Sequence, residues 1–259
     1  MIVRFFEELD STNIRAKEEA VKGAESGTLI VADKQTAGRG RRGREWSSPG
    51  GKNIYFSLLL RPDLPTDKAS MLTLVMALAV SKGIQQTMRE LQTNVDGTEI
   101  PRPEIKWPND IVMDGKKVCG ILTEMGLKQN AIDYVVIGVG INVHNQEFAP
   151  ELVDKAAALD VACGKRISRK VLLAHVTDAF ETYYDIFMEQ GSLEGLRAEY
   201  EALLVNCGRE VCVLEPRGEY RGVAKGITDT GELLVELPDG SVTEVYAGEV
   251  SVRGIYGYV

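Results

Sequence analysis

Hydrophobic and polar positions fall into two regimes along the chain. Up to Leu204, short apolar runs alternate with longer stretches in which apolar residues recur every three or four positions. The runs predict strands and the recurring pattern predicts amphipathic helices. Strands are expected at Val3 to Leu9, Thr28 to Ala32, Lys52 to Leu60 and Ala131 to Val139. Lys52 to Leu60 is almost continuously apolar, the pattern of a strand central in its sheet. Asp114-Gly115 is a two-residue hairpin signal joining Glu104 to Met113 with Lys116 to Met125, and Pro108 inside the first arm implies a bulge, an edge or a break. Helices are expected from Asp10-Ser11-Thr12-Asn13 to Gly23, then at Asp67 to Leu91, Ser168 to Met188 and Leu193 to Leu204. Leu72 to Val80 is apolar nearly all round, so it should be well buried. Thr93 to Pro103 reads as a loop, and Asn145 to Lys165 as irregular with a short helix at Glu151 to Leu159.

After Leu204 the character changes. Glu210 to Leu214, Tyr220 to Ile227, Leu233 to Leu237, Val242 to Tyr246 and Val250 to Tyr256 are short strand patterns separated by turn residues. Five such strands suggest a small barrel. The division falls near Asn206, into residues 1–205 and 206–259.

Composition narrows the function classes. A chain of 259 residues with 44% hydrophobic and 26% charged residues can bury a sizeable core. A net charge of -8 argues against wholesale nucleic-acid binding. No uninterrupted apolar span is long enough for a membrane helix, and the N-terminus has no signal-peptide pattern, so a cytoplasmic protein is expected. Cys119, Cys163, Cys207 and Cys212 lack CxxC spacing and read as buried free thiols. His144 and His175 are far apart, so no metal site built by the protein is expected.

Against that acidic background one stretch stands out. Gly38-Arg39-Gly40-Arg41-Arg42-Gly43-Arg44 packs four arginines and three glycines into seven residues. Glycine lets backbone approach a ligand, and the guanidinium fork suits phosphate oxygens. The run reads as a mobile loop that orders around an anion, or as a solvated or RNA-binding basic loop. Ser11 or Thr12 can cap the helix that follows, and the same helix start can face a polar ligand. Period two along the return strand places Lys117 on one face with Cys119, Ile121, Thr123 and Met125, and Lys116 with Val118, Gly120, Leu122 and Glu124. Lys117 thus sits on the less polar side, where it needs an anionic partner, and Lys116 is the solvent lysine. Gly138 and Gly140 at a strand end suggest close backbone approach or a tight turn.

Taken in order, Asp10-Ser11-Thr12-Asn13, Gln35 through Arg44, Lys106-Trp107-Pro108-Asn109-Asp110, Lys117 through Leu122 and Gly138 through Asn142 resemble biotin protein ligases, the biotin–[acetyl-CoA-carboxylase] ligases. Cys119 stands where that family often has Ala. The resemblance implies an α+β fold: a mixed-sheet catalytic domain like that of class II aminoacyl-tRNA synthetases, followed by an SH3-like barrel. It implies that biotin and ATP, the latter with Mg²⁺, give biotinyl-5′-adenylate, and that a lysine of the biotin carboxyl carrier protein of acetyl-CoA carboxylase then takes the biotin. With the Ser-Thr-Asn cluster beginning at Ser11, no room is expected for an N-terminal DNA-binding domain; a homodimer is left open.

The residue roles implied by the resemblance divide along the ligand. Ser11, Thr12, Asn13 and Gln35 would hold the neutral ureido ring. Arg39, Gly40 and Arg41 would wrap the biotin carboxylate and the α-phosphate, with Arg44, Trp46 and Asn142 on the nucleotide. Lys117 would stabilise the charge that builds between the two anions, with Arg41, and Asp110 would orient Lys117 or the incoming lysine. Gly120 and Gly138 would let the backbone close on biotin. Two other readings compete: a lipoate–protein ligase with the same adenylation logic, and an RNA-binding protein using the Arg-Gly loop. A biotin-binding module without activity is disfavoured by the presence of Arg39, Arg41 and Lys117.

Overall fold

The structure, a computed structural model, describes residues 1–92, 102–144, 147–215, 218–247 and 251–254. A seven-stranded mixed sheet contains β1 (Ile2–Leu9), β2 (Thr28–Gln35), β3 (Ile54–Leu60), β4 (Glu104–Lys106), β5 (Asp110–Met113), β6 (Lys116–Lys128) and β7 (Ala131–Ile141). Their order is β1-β2-β3-β7-β6-β5-β4. β1 and β2 run parallel, because α1 (Thr12–Val21) crosses between them, and every other pairing is antiparallel. All seven residues of β3 are buried. One face of the sheet is covered by α1 through Ala16 and Ala20 against Ile30, Leu59 and Val136. The other face carries α2 (Met71–Gln92) and α4 (Arg169–Gln190). From Leu72 to Val80 only Thr73 is not fully buried, and its hydroxyl donates to Thr123 Oγ1 at 2.7 Å. Burying a Leu, Val or Met side chain there contributes about 1.5–3 kcal/mol each.

The second sheet is antiparallel: β8 (Glu210–Glu215), β9 (Gly218–Ile227), β10 (Leu233–Glu236), β11 (Val242–Val245) and β12 (Ser251–Gly254), in the order β11-β10-β9-β8-β12. Among the described residues β11 and β12 are its two edges. Part of the expected last strand, Val250 and Ile255-Tyr256, lies outside the described residues, as do 93–101 of the expected loop. The sheet is seated on the first unit by α5 (Glu194–Leu203) and by Trp107. The Trp107 indole N–H donates to the Gly231 carbonyl at 3.0 Å, and Asn206 Oδ1 accepts from Trp107 N at 3.0 Å. Val211, Val213, Ala224 and Leu233 of the second sheet belong to the same buried core as α2. The two sheets therefore share one apolar interior.

Two expectations are corrected. The helix expected at Glu151 to Leu159 is a single 3-10 turn, Pro150–Leu152, and a later helix, α3 (Leu159–Cys163). Between them the backbone is spent on β6: Lys117 N donates to the Lys155 carbonyl at 2.7 Å and Ala157 N to the Lys117 carbonyl at 3.0 Å. The thiols are all free, but only Cys119 is buried and Cys207 is exposed.

Candidate active site

The start of α1 builds one end of a cleft. Ser11 is the N-cap residue by backbone conformation, yet its hydroxyl caps nothing; Asp10 Oδ1 instead accepts from Ser11 N at 2.6 Å. Its O–H is therefore available to a ligand. Ser11, Thr12 and Asn13 are all buried. At the end of β2, Gln35 Oε1 accepts from Thr12 N at 2.9 Å, and Thr12 Oγ1 lies 3.1 Å from it. Gln35 Nε2 donates to Ser48 Oγ at 2.8 Å, which donates to the Trp46 carbonyl at 2.9 Å. Asn13 is pressed against β7, where a Cβ on Gly138 would fall 1.9 Å from Asn13 Oδ1. Here glycine answers a close approach and not a turn.

The other end is cationic. The Arg-Gly run folds back on itself: Trp46 N donates to the Gly38 carbonyl at 2.9 Å, and Gly40 N to the Arg44 carbonyl at 2.7 Å. Arg41–Gly43 form one 3-10 turn at the tip, with Arg42 at φ 57°. Arg39, Arg42 and Arg44 are exposed, whereas Arg41 is half-buried. Its guanidinium donates to Asn109 Oδ1 and to the carbonyl of Ala247, two residues past β11, both at 2.8 Å. Burial lowers the Arg41 pKa, Asp110 pulls it back up, and Arg42 and Arg44 push it down; a guanidinium stays charged throughout.

Lys117 reaches this end through an irregularity. The β5–β6 register passes from Ile111 opposite Cys119 to Val112 opposite Lys117, so Val118 is an extra residue, a β-bulge. The bulge overturns the simple alternation. Lys117 does not share a face with Cys119 and Ile121; its Nζ would lie 3.1 Å from a Cβ on Gly120. Asp110, which pairs with Gly120, then sits on the same face, and Lys117 Nζ meets Asp110 Oδ1 at 2.6 Å. Lys117 Nζ also stands 5.2 Å from the centre of a Trp46 ring. That indole lies over Gly120 and Gly140, which a Cβ at either position would clash with. Lys116 turns the other way, to the Val153 carbonyl.

These groups meet in one open cleft of about 450 Å³. Ser11, Thr12, Asn13, Gln35, Arg39, Gly40, Arg41, Trp46, Lys117, Gly120 and Gly138 all line it, together with Asn109, Ile121, Leu122, Val139 and Gly140. Asp110 reaches it through Lys117. Arg44 and Asn142 are not among the lining residues; Asn142 is buried, with its N–H on the Val118 carbonyl at 2.8 Å. Asn109 was legible only as part of a motif, and its grip on Arg41 comes from packing. Gly138 and Gly140 are two residues apart on β7, so the uncharged and cationic ends are offset by about 7 Å along the strand.

Residues 5–142 match the model of the Biotin/lipoate A/B protein ligase family, and residues 207–253 match that of the Biotin protein ligase C terminal domain. The chain belongs to the biotin/lipoate A/B protein ligase family. It is 39% identical over 246 residues to the bifunctional ligase/repressor BirA of Bacillus subtilis, covering 94% of this chain and 72% of that one. It is 33% identical over 251 residues to the biotin–[acetyl-CoA-carboxylase] ligase of Mycobacterium tuberculosis, covering 93% of this chain and 85% of the relative. In three dimensions it resembles the Aquifex aeolicus biotin protein ligase in complex with biotin and ATP, with a TM-score of 0.79 at 32% identity over 98% of this chain and 99% of that one. The first matched segment contains every residue that lines the cleft; Ala247, which accepts from Arg41, lies in the second.

Proposed function

We propose that this member of the family is a biotin protein ligase that works through the cleft just described. It joins biotin and ATP into biotinyl-5′-adenylate and transfers the biotin to a lysine of a carrier protein. The observation that carries the assignment is the pairing, in one cleft, of an uncharged polar end with a cationic end. A ureido ring is polar and neutral, so it is held by hydroxyls and amides, and a charge stranded against it would cost desolvation energy. Ser11 offers a free O–H for the ring carbonyl, and Thr12 Oγ1, whose proton goes to Gln35 Oε1, offers an oxygen acceptor for a ring N–H. A valerate chain then leads along β7 to Lys117, Arg39 and Arg41.

In the first step a biotin carboxylate oxygen attacks the α-phosphorus of ATP. A carboxyl–phosphate bond forms, the bond to the β-phosphate oxygen breaks, and pyrophosphate leaves with its electron pair. Both partners are anions, so fixed positive charge is what the step needs, and no protein nucleophile is used. Lys117 supplies that charge from a backbone pinned on both sides by the 155–157 segment. Asp110 positions the ammonium. In the second step the carrier amine attacks the acyl carbon, AMP leaves, and the amine gives up a proton.

The wider reading goes with this. Residues 1–205 form a class II aminoacyl-tRNA synthetase-like catalytic domain and 206–259 an SH3-like barrel, and the acceptor is the biotin carboxyl carrier protein of acetyl-CoA carboxylase in the cytoplasm. No helix among the described residues is long and apolar enough to cross a membrane. Among the described residues there is also no cluster of three metal-ligating side chains, and Asp110 is held by Lys117. Mg²⁺ enters with the ATP phosphates, where it would offset their negative charge. The test is pyrophosphate release with biotin and with lipoic acid in turn. Release with biotin alone supports the assignment. Release with lipoic acid alone would move the chain to lipoate ligation, the other activity named by the family.

A further inference from the structure

The position of Lys117 depends on a segment that is not a strand of the sheet. β7 pairs with β6 only as far as Ile141 opposite Cys119, and its last bond across is Asn142 N to the Val118 carbonyl at 2.8 Å. Beside Lys117 the chain returns instead as residues 155–157, in an isolated parallel bridge between Lys117 and Ala156. Lys117 is thus next to a bulge on one side and a short, irregular return on the other. A bridge this short holds little by itself, so its register depends on what fixes the ends of the return.

Those ends meet at His144 and Asp160. Leu159 N donates to the Asn142 carbonyl at 3.0 Å, and Asp160 N to the Val143 carbonyl at 2.9 Å. Beside these two bonds His144 Nδ1 lies 2.7 Å from Asp160 Oδ2. A carboxylate only accepts, so Nδ1 carries the proton. His144 is buried, and a hydrogen bond to a carboxylate is strong where water is excluded. The pair is mounted on regular structure. His144 N donates to the Lys52 carbonyl at 3.0 Å, just before β3, and Asp160 Oδ1 accepts from Ile167 N at 2.8 Å, just before α4. His144 follows closely on Asn142, and Asp160 on Ala157, so each lies within about 11 Å of chain from a backbone bond at Val118 or Lys117.

We propose that His144 and Asp160 are positioning residues for Lys117: their side-chain bond clasps the two ends of the return and holds 155–157 where it aligns the Lys117 backbone. The inference rests on the reading that Lys117 supplies the charge for adenylation. Neither residue is among those lining the cleft, so the clasp acts through Lys117 and not on the ligand. It acts on rate and not on biotin recognition, because Ser11, Thr12 and Gln35 are held by bonds among themselves and to Asp10 and Ser48.

The test compares wild type, His144→Phe, which keeps a ring without the donor, and His144→Asn, which offers an amide N–H in its place. His144→Phe is also combined with Lys117→Ala. Pyrophosphate release at saturating biotin and ATP gives kcat, calorimetry gives biotin affinity, and amide hydrogen exchange reads the Lys117 N–H. His144→Phe should lower kcat about 10–100-fold, as misplacement of a reacting charge does, with biotin affinity unchanged. The Lys117 N–H should exchange faster while the amides of β3 keep their rates. His144→Asn should restore kcat to near wild type. In the Lys117→Ala background His144→Phe should lower kcat by less than about threefold, because residues that act through one group are not additive. Should the Phe variant fail to fold, His144→Ala takes its place. An unchanged kcat, an equal loss with and without Lys117, no rescue by Asn, or unchanged exchange at Lys117 would overturn the inference. Wild type releasing no pyrophosphate with biotin would overturn the functional reading instead, and the exchange measurement would still decide the clasp.

Discussion

The two ends of the cleft are built in opposite ways. At the uncharged end Thr12, Asn13 and Ser57 are buried on a helix start and a central strand, and each is locked by partners. At the cationic end Arg39 is exposed in the Arg-Gly loop, bridged to Glu45, and Lys117 stands beside a bulge. A neutral ligand part offers no long-range attraction, so affinity there depends on dipoles already aimed before binding. Charges reach further and must follow groups that move during reaction, so longer side chains on irregular backbone serve them. On the proposed reading, one end recognises and the other end reacts.

That contrast is open to attack at its strongest point first. Lys117→Ala should lower the rate of adenylate formation by about 3–4 kcal/mol, or 10²–10³-fold, with biotin affinity changed far less. Lys116→Ala, on the opposite side of the bulge, should change the rate less than about twofold. Pyrophosphate release under saturating substrates reads both, and equal losses would mean that the bulge does not set the lysine's role. Arg41→Gly comes next. It removes a charged hydrogen-bonding side chain held by Asn109 and Ala247, and the adenylate should escape about 10–100-fold faster, by loss of ~1.5–3 kcal/mol. Incubation with biotin, ATP and serum albumin should then label albumin. No labelling above wild type, with synthesis intact, would remove Arg41 from retention of the intermediate.

At the recognition end the expected effects are smaller. Gly138→Ala sets a Cβ against Asn13 Oδ1, and the displaced amide should weaken biotin binding by about 1–3 kcal/mol, leaving the KM for ATP near wild type. Calorimetry for biotin together with a KM for ATP decides it; a shift in the ATP value alone would blur the division between the ends. The smallest effect is on stability. The folded-state pKa of Glu124 is held below its unfolded value, so its contribution is present above the unfolded pKa and is lost as pH falls through the folded one. The stability difference between wild type and Glu124→Gln should therefore be flat from pH 8 to about 5 and shrink below about 4.3, the ordinary carboxylate value. Chemical denaturation across that range measures it, and a gap that widened in acid would reverse the assigned sign.

Much of this architecture was legible from local pattern. The continuous apolar run of β3, the all-round apolar middle of α2 and the Asp114-Gly115 hairpin depend on residues next to one another, and propensity and periodicity register such neighbours. The ordered motifs likewise marked the residues that the fold gathers into one cleft. What pattern alone could not decide were pairings between residues distant in sequence. Asn13 meets Glu124 at a separation of 111 residues, and Arg41 meets Ala247 at 206. Ser57 looked like one polar residue in an apolar strand until α1 was packed over it. Ser11 carried an ordinary capping signal, and only the geometry at Asp10 left its hydroxyl uncapped. Lys117 shows the limit most plainly. Strict alternation put it on the wrong face, because a bulge depends on how β6 is held between β5 and the 155–157 segment, and a period of two carries no record of that. Chemistry and element type were written in the residues themselves; which proton faces which oxygen was decided by the packing of helix on sheet, since only there do the partners come within a hydrogen bond of one another.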